Sequence, residues 1–175
     1  MMKLASALYH NPYNHNEVRG IPQHATPSEE NTDAIIIEVG KLIGVDILDN
    51  DISVSHRLPQ AKSYKGKNVG PSPIIVKFTR RSVKESLYGA RKNLRNKTSS
   101  DLGYPVENKI YLAESLAEKN RELFKESLAV KKNLEFKFIW TNNGRIYLRE
   151  NNDSPIFHIK SKDDIEKLKG SIQAR

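Results

Sequence analysis

Residues 73–97 read PIIVKFTRRSVKESLYGARKNLRNK, and this stretch decides the fold. Ile74-Ile75-Val76-Lys77-Phe78 is a β-rich run that passes at once into a helical pattern. There Val83, Leu87, Ala90 and Leu94 recur at steps of four, three and four, which builds one apolar stripe. Beside it, Lys84, Tyr88, Arg91 and Arg95 repeat the spacing one residue later. From Ile74 to Lys97 eight cations (Lys77, Arg80, Arg81, Lys84, Arg91, Lys92, Arg95 and Lys97) stand against one acid, Glu85. A solvated surface helix is the plainer reading of such a face. A strand feeding a basic helix, however, holds several cations at backbone spacing, a form suited to phosphate.

Working outward, Glu17 to Pro22 predicts a first strand. Thr26-Pro27-Ser28-Glu29 is a helix start with Thr26 as cap and Glu29 completing a capping box. That helix runs through Ile35, Ile36, Val39, Leu42 and Ile43 to Gly44. Asp51 to Leu58 alternates as a second strand, Pro59 to Pro73 is a basic loop, and Lys109 to Leu112 makes a fourth strand after a loop over Thr98 to Pro105. The succession βαββαβ is that of the ferredoxin-like fold, which includes the RNA-recognition motif.

A second unit opens at Ser115-Leu116-Ala117-Glu118, read as another capping box, with Leu116, Leu123, Phe124 and Leu128 along its helix. Asn143-Gly144 between Phe136–Trp140 and Arg145–Arg149 signals a hairpin. Pro155 to Ile159 follows as a strand, and Ser161 caps a last helix. The fold class is therefore α+β. A loose arm (1–15) precedes an RNA-recognition-motif-like domain (16–113), a small α+β C-terminal domain (114–170) and a tail (171–175).

The net charge of +8 conceals an asymmetry. Residues 16–50 sum to −5 and residues 51–100 to +10. So lopsided a block sets up a positive field that favours anionic partners. Nucleic acid is preferred to a membrane surface because no apolar anchor accompanies the charge. No apolar run approaches the ~20 residues of a membrane span. The first residues, MMKLASAL, are too short and weakly apolar for a secretory signal, so an intracellular chain is expected. The absence of cysteine excludes disulfides, thiol catalysis and cysteine-ligated zinc. His10 and His15 read as isolated surface histidines, and His56 has no identifiable partner for general-base work.

Six pieces in register carry a family resemblance: residues 16–22 (NEVRGIP), 53–58 (SVSHRL), 72–79 (SPIIVKFT), 90–94 (ARKNL), 110–116 (IYLAESL) and 140–147 (WTNNGRIY). Over residues 16–169 the chain resembles the first-open-reading-frame protein of LINE-type non-LTR retrotransposons. Its second unit is similar to the C-terminal region of the baculovirus few-polyhedra (FP) protein. The resemblance implies two domains that clasp single-stranded RNA or DNA, a nucleic-acid chaperone role in a ribonucleoprotein that is cytoplasmic or nuclear, and no metal or small cofactor. It implies backbone contacts from Arg57, Lys77, Arg80, Arg81, Arg91, Lys92 and Arg95, to which the stripe adds Lys84. From the second domain it implies Arg145 and Arg149, with Tyr111, Trp140 and Tyr147 stacking on bases. The family's trimerising coiled coil has no counterpart in the 15 residues before Asn16, so a trimer is not expected and self-association stays open.

The third strand lacks paired aromatics. Alternation puts Phe78 with Ile74 and Val76 in the core, so phosphate contact should outweigh stacking on that sheet. Packing beside Phe136 and Phe138 competes with base stacking for Trp140. A protein-interaction module is the second reading. A small metal-dependent hydrolase is the third, and it has only Asp163-Asp164, better explained as a helix-start feature, and no hydrolase or phosphate-loop motif.

Overall fold

In the computed structural model, residues 15–59 and 70–173 are described. The remainder of the expected arm, the centre of the basic loop and the last two residues lie outside them. The chain divides between Ser115 and Leu116 into two compact units. Both are mixed α and β, with antiparallel sheets and, among the described residues, two α-helices each.

The first unit runs β1 (His15–Arg19), α1 (Thr32–Leu42), β2 (Ile52–Arg57), β3 (Ile74–Phe78), α2 (Arg81–Gly89) and β4 (Tyr111–Glu114). Its strands lie in the order β2-β3-β1-β4, every neighbouring pair antiparallel. Strand side chains alternate between faces. Val18, Ile74, Val76 and Phe78 accordingly join Ile36, Val39 and Leu87 in one buried cluster beneath the two helices. Ile75, Lys77, His56 and Tyr111 belong to the opposite face by the pairing register.

Several boundaries move from their expected places. The Thr26 capping box does not form: Pro27–Glu29 is a single 3-10 turn without a side-chain cap, and Thr26 instead donates its N–H to His24 Nδ1 at 3.1 Å. The α-helix begins at Thr32, with Asn31 Oδ1 accepting from the Ala34 N–H at 3.0 Å. It ends where expected, as the Ile43 and Gly44 N–H groups return to the Gly40 and Lys41 carbonyls. The long basic helix is also shorter. It leaves α geometry after Gly89 and tightens into a 3-10 segment over Ala90–Leu94. His15, expected in the loose arm, is a buried residue of β1. Within the loop after Thr98, Ser99–Leu102 forms a 3-10 turn whose Asp101 carboxylate accepts from the Thr98 N–H at 2.8 Å.

The second unit consists of α3 (Glu118–Asn133), β5 (Phe138–Asn142), β6 (Arg145–Arg149), β7 (Ile156–Ile159) and α4 (Lys162–Gln173). Ser115 does not cap α3. Its N–H completes the first sheet by donating to the His15 carbonyl, and the helix starts three residues later with no side-chain cap at Ala117. The expected hairpin forms, with Asn143 at φ 50° and Gly144 at φ 73°, the positive angles a two-residue turn requires. Leu123, Val130, Ile146, Leu148, Ile159, Ile165 and Leu168 bury the helix side of the sheet β5-β6-β7. Asp164 stabilises the start of α4 by accepting from the Lys160 and Ser161 N–H groups at 2.9 and 3.1 Å. The first of those bonds is the main reason its carboxyl is held below the usual range.

Candidate functional site

The expected cationic stripe along α2 does not present one uniform face. Lys84 points inward: its side chain is 2% exposed and its ammonium pairs with Glu114 on β4 at 2.5 Å. Asn16 Nδ2 donates to the Lys84 carbonyl in the same buried layer. Lys84 is thereby removed from the candidate contacts, because extracting a buried ion from its partner costs several kcal/mol. Arg91 lies across the ring of Tyr88, its guanidinium carbon 3.9 Å from the centroid, and donates to the Tyr88 carbonyl at 2.7 Å.

Of the other cations, Arg80, Arg81, Lys92 and Arg95 face solvent, while Lys97 is half-buried and pairs with Asp101. Lys92 and Arg95 are exposed and carry no ion pair among the described residues. Arg81 is 61% exposed and pairs with Glu85 one turn on, an exposed contact worth at most about 1 kcal/mol and easily exchanged for a phosphate. Arg80 is tied to the buried Asp51 carboxylate yet stays largely exposed. That arginine and the Leu48 N–H hold the Asp51 carboxyl below its usual range.

Arg57, expected as a backbone contact, has its side chain buried and engaged within the fold. Its guanidinium forms a buried two-pronged pair with Glu30, at 2.7 and 2.8 Å, and donates to the carbonyls of Ile21, Pro22 and Ser72. All its donors are engaged in joining the end of β2 to the chain before α1. Lys77 is half-buried on the sheet face away from the helices, opposite His15. Tyr111 lies on that face at 54% exposure, with Arg19 across from it and the Lys109 ammonium 5.6 Å from its ring centroid. Neither Arg19 nor Lys109 was among the expected contacts. Only the pairing register brings Arg19 there, although the two-residue step from Lys109 to Tyr111 was visible.

In the second unit the register gathers rings. Trp140, Tyr147 and His158 are direct cross-strand partners on the sheet face opposite the helices. Trp140 and Tyr147 stack with centroids 5.6 Å apart and planes 18° from parallel; Tyr147 and His158 stack at 4.9 Å and 24°. Trp140 is therefore not a core residue beside Phe136 and Phe138. Phe136 is buried against Phe157, whereas Phe138 is exposed on the ring-bearing face. His158 was missed because a histidine at the end of a short strand carries no local sign of its neighbour. Burial, followed by Lys160 and Arg145, pushes its pKa down and favours the neutral ring.

Of the two arginines expected here, Arg145 is exposed. Arg149 instead holds the turn before β7, donating to the Ser154 carbonyl at 2.9 Å and to that of Asn152. The described residues contain no helix long and apolar enough to cross a membrane and no His, Asp and Glu group placed to hold a metal.

The second unit is also where a known family is found. Residues 117–169 match Baculovirus FP protein domain 2. The matched span takes in α3, the whole ring-bearing sheet and most of α4. No curated protein matches the chain.

Proposed function

We propose that this chain binds single-stranded RNA or DNA, chiefly through phosphates and with weak sequence preference. The observation that carries the reading is the solvent-facing group Arg80, Arg81, Lys92 and Arg95 on one strand–helix–turn segment. Lys92 and Arg95 carry no ion pair among the described residues, Arg81 pairs only with the exposed Glu85, and Arg80 stays largely exposed while it pairs with Asp51. A cluster of cations on one segment is the electrostatic footprint expected of a phosphate-binding surface. In the same reading the first unit is an RNA-recognition-motif domain of the ferredoxin-like class. Its βαββαβ succession and strand order β2-β3-β1-β4 support that assignment. The chain is then a binder and not an enzyme, acting like the nucleic-acid chaperone of a LINE-type retrotransposon ribonucleoprotein.

Fluorescence anisotropy with a labelled single-stranded RNA of about 30 nucleotides tests this. Unlabelled single strand of unrelated sequence should displace the probe about as well as the parent, and duplex DNA much less well. Equal displacement by duplex, or no binding at low salt, would remove the proposal.

A protein-interaction module is the second reading. It is favoured by Phe138 and Ile156, 38% and 56% exposed, on the outer face of the second sheet. A protein partner would bind there with little dependence on salt.

A further inference from the structure

The three-ring row constrains how a nucleic acid base can meet the second unit. Tyr147 sits on the central strand, with Trp140 on one side and His158 on the other. Both of its ring faces are covered by near-parallel neighbours. It has no face left for a base, contrary to the stacking role expected for it from the sequence. The row can lengthen only at its ends.

At the β5 edge, Trp140 has Tyr147 as its single ring partner among the described residues. The strand positions on this sheet face include Arg145, Arg149 and His158 and no carboxylate, so the field around the row suits a polyanion. Arg145, paired with Asn142, stands diagonal to the indole and is exposed. Indole also offers a larger stacking area than imidazole.

We propose that the face of Trp140 turned away from Tyr147 is a base-binding subsite, taking one unpaired base as the fourth ring of the row while Arg145 meets the adjoining phosphate. The proposal rests on the nucleic-acid reading above and adds to it a place where a base, not only a phosphate, is recognised. It also gives single strands an advantage of their own, because a base already stacked in a duplex cannot add to the end of the row. Tyr147 becomes a positioning residue: it holds the indole upright from the sheet. No step depends on base identity, since every base has a π face.

The chain has one tryptophan, so its emission reports on this subsite alone. The native protein is titrated with a thymidine 12-mer and with an abasic oligonucleotide of the same length, reading tryptophan emission and the anisotropy of an end label together. The thymidine strand should quench the emission on binding; the abasic strand should bind without comparable quenching. Tyr147→Phe should keep the quench and Tyr147→Ala lose most of it. Trp140→Leu should weaken the thymidine strand on the order of tenfold or more and leave the abasic strand nearly unchanged. Binding with unchanged emission, or equal quenching by both strands, overturns the subsite while leaving phosphate binding intact. If neither strand binds, the subsite and the function it rests on fall together.

Discussion

Lys84 and Glu114 form a fully buried ion pair between α2 and β4, each side chain 2% exposed. Removing one partner of such a pair strands the other charge away from water. Lys84→Ala is therefore expected to cost about 3–5 kcal/mol in urea unfolding, whereas Lys84→Met combined with Glu114→Leu should recover most of the loss. The Arg57–Glu30 pair makes a different, pH-dependent contribution. Hydrogen bonding from Arg57 lowers the Glu30 carboxyl from its ordinary value of 4.5, against an opposing effect of burial. A carboxyl lowered in the folded state stabilises fully above its unfolded value and loses that contribution as pH falls through the folded one. The stability gap between the native chain and Glu30→Gln should accordingly be largest near neutrality and close in acid; an unchanged gap would show that the pair does not set the linkage. At this scale the sequence displayed each cation but not its partner. Glu30 lies 27 residues before Arg57, and Glu114 30 residues after Lys84, so two basic residues that looked available for phosphate are structural.

Elements were legible where their determinants are local. Asn143-Gly144 specifies its turn within two residues, and the hairpin formed as its sequence predicts. Capping was less legible, because several candidates stand within a few residues and packing selects among them. Thr26 and Ser115 both carry capping-box spacing. The cap of α1 is nevertheless Asn31, and the Ser115 N–H extends the first sheet by a bond to His15. Gly20 joins β1 to the buried Ile21 with φ +91°, and a β-carbon placed there would collide with the Lys109 carbonyl. Gly20→Ala is thus expected to lose about 2 kcal/mol or more in a denaturant titration, since the left-handed backbone alone costs about 1–2 kcal/mol in an L-residue. A loss well under 1 kcal/mol would mean that this crossing relaxes easily.

Across the whole molecule the uneven charge could be read directly, because it is a sum over residues and needs no geometry. Its division into roles could not. Within residues 73–97, Lys84 belongs to the core, Arg91 packs on Tyr88, and Lys77 and Lys97 are half-buried, which leaves Arg80, Arg81, Lys92 and Arg95 toward solvent. The ring row on the second sheet arises from cross-strand register over β5, β6 and β7, which no single segment encodes. On the phosphate-binding reading, the exposed cations neutralise phosphates of a single strand. Anisotropy of a labelled single-stranded RNA across a salt series, for the native chain and for Lys92→Ala combined with Arg95→Ala, tests it most directly. Counterion release predicts a linear fall of log affinity with log salt, by roughly 0.7 per phosphate neutralised. The double variant should bind more weakly to every sequence tried, with a slope shallower by about 1.4. No binding at low salt, or a variant with the native slope, would contradict the account.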